Sequence, residues 1–496
     1  PTNLDPDAAL PMLPRERCDM RLEWFEVEGF KNLRERVRLD GIGPLAILHG
    51  ENGIGKSNLL EAIAAFFEAL AGNQGDMRGS LLSTQLLQIL AKDSLPGMLP
   101  DSLGGGGAVF ATLIGQPVRE LFNQTERVPI RFAARFEITE ADLLRWGYLA
   151  FEQAAGRPLI AGRVGTHQVA LTLRELDGKS AALSLDDSSW QLEQAGQPRT
   201  VTLRDIPELF LIFAEFRPVV LIPTTRLPIP AMGRDGTEPN PYSHRDLIPS
   251  ELCLALHDSA SADEPAQREA WGRFLKAMKP FVDLVGGELE TEFDRKKRRA
   301  RLSVRRDGRK LGSHLLGAGI QQLLSIIGLL VIHPAPIVLL EEPELNQRYP
   351  LQQKLSEVIK AVTQGEGKKQ VILSTHSSAF EDHRLADHAF FYGMERIGGS
   401  VTVKQRPLHQ VAQFTFDQPY LLPNTTTKQP PCWVNADGLV EVPKVIRDEL
   451  GLRGGGGVFF VKRKDTGHIE LLTDQQLFEM LELRGPDDDE ASDGRG

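Results

Sequence analysis

Cysteine is nearly absent from this chain. Cys18, Cys253 and Cys432 stand far apart, with neither paired-thiol nor zinc spacing, so no disulfide framework organises the fold and a reducing, cytoplasmic compartment is the simpler setting. Long apolar runs are missing as well. The longest, Leu323 to Ile332, falls well short of the roughly 20 residues that a membrane helix needs, so no membrane partner is expected. There is no basic excess: the formal charge is −10, so contact with nucleic acid, if any, has to be local. No heptad repeat persists long enough for an extended coiled-coil arm. The opening PTNLDPDAALPMLPRERC has no apolar h-region and reads as a loose leader over residues 1–20.

What the chain does have is length and glycine. Its 496 residues suffice for two or three domains with a large core. Residues 49–62 read HGENGIGKSNLLEA, in which Gly50, Gly55, Lys56 and Ser57 fill the pattern G-x-x-x-x-G-K-[ST]. The pattern lies between the apolar run Leu45 to Leu48 and a helical pattern from Leu59, giving the strand–loop–helix context it requires. Gly50, Gly53 and Gly55 would let backbone NH groups close around phosphate, beside Asn52 and Asn58. Lys56 would reach the β- and γ-phosphates and the Ser57 hydroxyl would ligate Mg²⁺ at the helix N-terminus. ATP and Mg²⁺ are therefore the expected cofactors.

Further segments complete the arrangement. PIVLLEEPE, residues 336–344, is an apolar strand ending in carboxylates, with Glu341 directed toward Mg²⁺ and Glu342 able to polarise the attacking water. VILSTHSSAF, residues 371–380, is a second buried strand whose polar turn presents His376 to the γ-phosphate. LLGAGIQQLL opens a helix at a Gly-rich turn, Gly317, Ala318 and Gly319. Either the double glutamate or the STH turn alone would more often be an ordinary loop; their order and separations give them meaning together.

These motifs, with FKNL at residues 30–33, resemble those of ABC-type ATPases of the branch containing the structural-maintenance-of-chromosomes heads, RecF-type repair ATPases and the OLD-like ATPases of bacterial anti-phage systems, and are most similar to the last. The resemblance covers roughly residues 21–405. It implies an α/β ABC-type head, a mixed sheet with flanking helices, over residues 21–421, with an inserted helical region at about 227–285. It further implies a homodimer or higher oligomer, two heads enclosing two ATP molecules between each phosphate loop and the other subunit's Gly317–Gly319 turn, with Lys31 and Asn32 near adenine. Gln116 and Gln124 are both candidates for the family's Q-loop glutamine. Glu341 replaces the more usual Asp, Gly317 stands where many relatives carry Ser, which implies slow turnover, and Asn346 to Pro350 replaces a His-Leu-His-Pro-like stretch.

OLD-like proteins often end in a Toprim nuclease, and no matching Glu and D-x-D arrangement follows residue 405. His383 and His388, each preceded by Asp in EDHRLADHAF, suggest a metal pair, but they lie just past His376, where the family has only a helix and strand, so metal is the lesser reading. After a Thr/Pro linker at 422–432, residues 433–484 resemble an AbrB/SpoVT swapped-hairpin domain, followed by a disordered acidic tail at 485–496. The AbrB-like segment holds seven Lys and Arg against nine Asp and Glu, which favours a β-rich dimerisation domain over a DNA reader. The basic stretch at 295–310 offers Arg295, Lys296, Lys297, Arg298, Arg299 and Arg301 to double-stranded DNA, the alternative being a solvated or acid-paired hairpin. Three functions stay open on this reading: sensor or regulatory subunit of an anti-phage complex acting on a separately encoded effector, RecF-like repair ATPase, or AbrB-type DNA-binding regulator with an attached ATPase.

Overall fold

The computed structural model describes residues 20–71, 109–145, 160–184, 190–201, 213, 218–224, 250–294, 299–364, 368–380, 385, 388–406, 433–434, 440–441, 458–462 and 469–473. The chain divides into two compact units, residues 1–415 and 416–496.

The first unit is built in layers around one helix. Strand β1 (Arg21–Glu28) leads through β2 (Val37–Leu39) to β3 (Leu45–Gly50), and the phosphate-loop pattern follows β3 and opens α1 (Lys56–Ala71). Every residue of β3 is buried, as expected of a parallel strand covered on both faces. Helix α1 buries Leu59, Leu60, Ile63, Phe66, Phe67 and Leu70, and is apolar nearly all round because sheets lie on two sides of it.

One of those sheets is antiparallel. Short strands β4 (Val109–Phe110), β5 (Thr112–Leu113) and β6 (Gln116–Pro117) precede β7 (Ile130–Ile138), α2 (Glu140–Arg145), β8 (Gly165–Glu175), β9 (Ala181–Ser184), β10 (Trp190–Gln194) and β11 (Gln197–Thr200). The main path runs β11-β10-β8-β7-β1-β2, with β9 also paired to β8 and β4. Alternation orders its inner face: Ile130, Phe132, Ala134, Phe136 and Ile138 point inward from β7, and His167, Val169, Leu171 and Leu173 from β8. The Phe66 ring of α1 lies 5.9 Å from Phe25 and 6.3 Å from Phe132, and a ring so buried contributes on the order of 3–5 kcal/mol relative to alanine.

The other sheet carries the motifs. Its order is β12 (Val219–Ile222), β16 (Ile337–Glu341), β17 (Gln370–Ser374), β3, β18 (Ala389–Ile397) and β19 (Ser400–Arg406), parallel except for β19. Its far face packs on α3 (Ser250–Ser261), α4 (Pro265–Val285), α5 (Ala318–Ile332) and α6 (Tyr349–Gln364). Parallel order brings the C-terminal ends of β3, β17 and β16 side by side, where an open α/β sheet binds ligand. Gln370 ties the two sheets: its amide donates to Leu22 O, Ile42 O and Gly43 O (2.9, 3.2 and 3.1 Å) and accepts from Leu22 N (2.8 Å).

The helical region expected at 227–285 contains α3 and α4; residues 225–249 lie outside the described residues. The basic hairpin is a three-stranded meander, β13 (Glu288–Asp294), β14 (Arg299–Arg306) and β15 (Arg309–Gly312), turning at Asp307 and Gly308 in left-handed backbone. In the second unit, β20 (Trp433–Val434) pairs antiparallel with β21 (Val440–Glu441), and β22 (Val458–Lys462) with β23 (Ile469–Thr473). Residues 1–19 of the expected leader and the expected acidic tail lie outside the described residues. Among the described residues, no helix is long and apolar enough to cross a membrane.

Candidate active site

The loop after β3 admits only glycine at its tightest points. A Cβ on Gly50 (φ +153°) would sit 2.7 Å from Met394 O of β18, and one on Gly55 (φ +118°) 2.8 Å from Asn32 Oδ1. Asn32 is the clamp: its amide donates to Gly53 O (3.0 Å) and its carbonyl oxygen accepts from Asn58 Nδ2 (2.7 Å), so two predicted nucleotide contacts hold the loop itself. Lys31, also predicted near adenine, has left-handed backbone, an ion pair with Glu61 and a hydrogen bond to Gln116 (2.9 Å). Gln116 also donates to Glu61 (3.0 Å), whereas Gln124 turns its amide to backbone carbonyls of Arg119 and Phe122, so of the two glutamines Gln116 borders the loop network.

Lys56 is buried, and its ammonium donates to Gly50 O (2.8 Å) and Glu51 O (3.1 Å). Burial lowers its pKa to about 8 against the opposing charges of Glu342 and Glu344. Asn52 is exposed and Ser57 half-buried at the start of α1. A glycine-walled loop, a buried ammonium and the N-terminus of a long helix fit a polyphosphate.

Across from the loop, the carboxylates at and just after the end of β16 take distinct places. Buried Glu341 accepts from the Thr224 backbone NH (2.9 Å) and hydroxyl (3.2 Å), just beyond β12. Glu342 adopts φ +35°, a strained conformation for a non-glycine residue of the kind that collects at active sites, and its NH donates to Ser374 O at 2.9 Å. Its Oε1 lies 3.7 Å from His376 Nε2. That contact would favour an imidazolium, but burial, with the facing charges of Lys56 and His49, lowers the His376 pKa to about 4, so the pair is a carboxylate beside a neutral imidazole.

Glu344, which sequence reasoning passed over, is buried beside this pair, and its Oε1 accepts from Thr375 Oγ1 (2.8 Å) and His376 N (2.7 Å). Burial raises its pKa. Gln347 donates to Gly319 O at 2.6 Å, which gives the departure at Asn346 to Pro350 a concrete role in holding the Gly-rich turn. Gln352 donates to Gln347 O (2.9 Å) and accepts from the Ser377 hydroxyl. A third glutamate, one residue beyond the pair Glu341–Glu342, is the one signal for Glu344; nothing in the sequence marks Thr224 or Gln352.

Gly317 caps α5, and the contacts of Gly319 within its chain run to Asn346 and Gln347 rather than to the phosphate loop. Of the proposed DNA contacts, residues 295–298 lie outside the described residues and Arg301 is exposed. The acid-paired alternative finds its partner in the preceding strand. The acidic strand β13 sets Glu288 opposite Arg305, Glu292 opposite Arg301 and Asp294 opposite Arg299. Arg305 pairs with Glu290 (2.7 Å) and Lys310 with Glu290 (3.3 Å) and Glu292, so much of the described basic charge is met within the meander. His383 lies outside the described residues, and among those described no group of three or more His, Cys, Asp or Glu could hold a metal.

Residues 256–380 match the family model described as AAA ATPase domain. That segment contains the Gly-rich turn, Glu341, Glu342 and His376, and the glycine loop before α1 lies outside it. An uncharacterised protein of Methanocaldococcus jannaschii is 36% identical over 56 residues, 11% of this chain; the chain spans about a quarter (25%) of that relative's length. Among solved structures, an Smc head bound to the C-winged helix domain of ScpA gives a TM-score of 0.44 at 16% identity, covering 78% of this chain and 99% of that one. An SMC head domain from Thermotoga maritima gives 0.36 at 15%, covering 78% and 99%. An Smc head with an extended coiled coil, bound to the C-terminal domain of ScpA derived from Pyrococcus furiosus, gives 0.41 at 13%, covering 79% and 98%. These structural likenesses are too loose to assign roles to residues.

Proposed function

We propose that this chain is a P-loop ATPase that works as an ATP-driven switch, serving as the sensor or regulatory subunit of a bacterial anti-phage defence complex. Two copies close head to tail over ATP and Mg²⁺, reopen on hydrolysis, and so govern a separately encoded effector. The observation that carries the ATPase chemistry is the convergence of Lys56, Glu342 and His376 at adjoining strand ends, with Glu342 strained and 3.7 Å from a neutral imidazole. The defence role is supported by the resemblance of the motif set to OLD-like ATPases.

In this reading Lys56 exchanges its loop carbonyls for phosphate oxygens, and backbone NH groups of Gly53 and Gly55 take the remaining charge. Ser57 and Glu341 would hold Mg²⁺, which when bound neutralises charge on the phosphates. Glu342 draws a proton from the attacking water while His376, uncharged, donates one hydrogen bond toward the γ-phosphate. The second unit is proposed as an AbrB-like dimerisation domain that raises the effective concentration of the heads. Charge pairing on the β13–β15 meander supports a protein input over duplex DNA.

The test is Glu342→Gln. It is expected to retain ATP, lose turnover by at least about 100-fold, and run as an ATP-dependent dimer on gel filtration. Normal turnover in that variant would remove Glu342 as the base. Turnover measured with and without linear duplex DNA, with neutral residues at 295–301 as the control, reads the input: stimulation that the control abolishes would favour the RecF-like alternative.

A further inference from the structure

Glu344 carries more than the phosphate-loop chemistry needs. It is 8% exposed, and Oε2 is buried without a hydrogen-bond partner among the described residues. Its Oε1, by contrast, accepts from two groups of the switch turn, the Thr375 hydroxyl (2.8 Å) and the His376 backbone NH (2.7 Å). The turn is further closed by Ser377 N donating to Thr375 Oγ1 (2.9 Å), and the Ser377 hydroxyl donates to Gln352 of α6. Gln352 in turn donates to Gln347 O, and Gln347 to Gly319 O.

We infer that Glu344 is a positioning residue for hydrolysis: by holding the Thr375 hydroxyl and the His376 NH on one buried oxygen, it fixes the His376 imidazole against Glu342. The inference rests on the ATPase reading above. The NH that Glu344 accepts belongs to the same residue whose ring lies 3.7 Å from Glu342, so displacing that NH displaces the ring. It has no other acceptor among the described residues, and an NH left unsatisfied in a partly buried turn drives the turn outward. The amides of Gln352 and Gln347 anchor the second side of the turn to the start of α5, so the carboxylate works against a fixed frame. Glu344 also lies within electrostatic reach of Lys56, which gives a rival account in which its charge matters and its hydrogen bonds do not.

Glutamine separates the two, because its carbonyl oxygen can accept the same pair of bonds without the charge. In steady-state ATPase assays of the full chain, Glu344→Ala is expected to lower kcat about 100-fold with KM for ATP within roughly threefold, since a misplacement of about an ångström suffices for such a loss. Glu344→Gln is expected to recover kcat to within about fivefold of the parent, and Thr375→Val, which removes one donor to Glu344 and the acceptor of Ser377 N while keeping the side chain's shape, to fall between. A second readout does not need turnover: the ¹³C-histidine signal of His376, identified by its loss in His376→Asn, is expected to shift in Glu344→Ala and to stay near the parent position in Glu344→Gln. An unshifted signal in Glu344→Ala, kcat within about threefold of the parent, or Glu344→Gln as inactive as Glu344→Ala would each overturn the inference. A parent that binds ATP and never hydrolyses it would instead defeat the ATPase reading, while the histidine signal still decides whether Glu344 holds the turn.

Discussion

Lys56 gives the sharpest quantitative handle on the site. Its ammonium is buried against Gly50 O and Glu51 O, and burial outweighs the favourable charges of Glu342 and Glu344, lowering its pKa to about 8. The charged form is the one that attracts polyphosphate, so kcat/KM, which reports the free enzyme, is expected to fall as pH rises through about 8, by roughly tenfold at about pH 9 and a further tenfold for each unit above. Bound phosphate places negative charge beside the ammonium and raises its pKa, so kcat, which reports the complex, is expected to hold its plateau to higher pH. The gap between the two alkaline limbs measures how much of the interaction with nucleotide depends on this charge; one unit corresponds to about 1.4 kcal/mol. Lys56→Arg provides the control. A guanidinium stays charged throughout, so whatever activity that variant retains is expected to show no limb near pH 8. The assay is initial-rate hydrolysis of Mg-ATP from about pH 7 to 10 in buffers of constant ionic strength. A kcat/KM that stays flat to about pH 9.5, or a limb that persists unchanged in Lys56→Arg, would refute the assignment of the titrating group.

Two stability predictions come from buried polar groups outside the site. Gln370→Leu strips one donor and three acceptors of their partners between the two sheets, and is expected to cost about 4 kcal/mol in urea unfolding, whereas a loss below about 1 kcal/mol would mean that the sheets are held by apolar contact alone. His167 is fully buried between the Arg163 carbonyl (2.8 Å) and the Trp190 indole NH (3.1 Å), an arrangement that requires Nδ1 to accept, and burial lowers its pKa to about 4 from 6.5. The unfolded chain therefore binds a proton below about pH 6.5 that the folded chain refuses until about 4, so stability declines as pH drops through that window, by up to about 3 kcal/mol from this residue. Urea midpoints followed by tryptophan fluorescence in parent and His167→Gln are expected to separate by pH 7 and converge toward pH 4.5; parallel curves would exclude His167 as the source.

The parts of this site that were legible in the sequence are those in which backbone geometry dictates residue type. Gly50 and Gly55 are readable because a Cβ at either would strike Met394 O or Asn32, and the buried run Leu45 to Leu48 announces a parallel strand before any fold is known. The β13–β15 meander shows where that legibility ends. The basic stretch is evident in the sequence, yet its charge reads differently once ELETEFD is a neighbouring strand, because register sets Glu292 against Arg301 and Glu288 against Arg305. Pairing between strands is a property of the fold rather than of a window of sequence, and a count of lysines and arginines contains none of it. The same limit hid Glu344, Thr224 and Gln352, whose partners lie 32, 117 and 25 positions away in the chain. Glutamate, threonine and glutamine at such positions have no required backbone conformation and no periodicity of their own. Parallel crossovers bring them together when they set β12, β16, β17 and β3 edge to edge, so the residues that position the reacting groups are specified by topology, and those that wrap the phosphates by local stereochemistry.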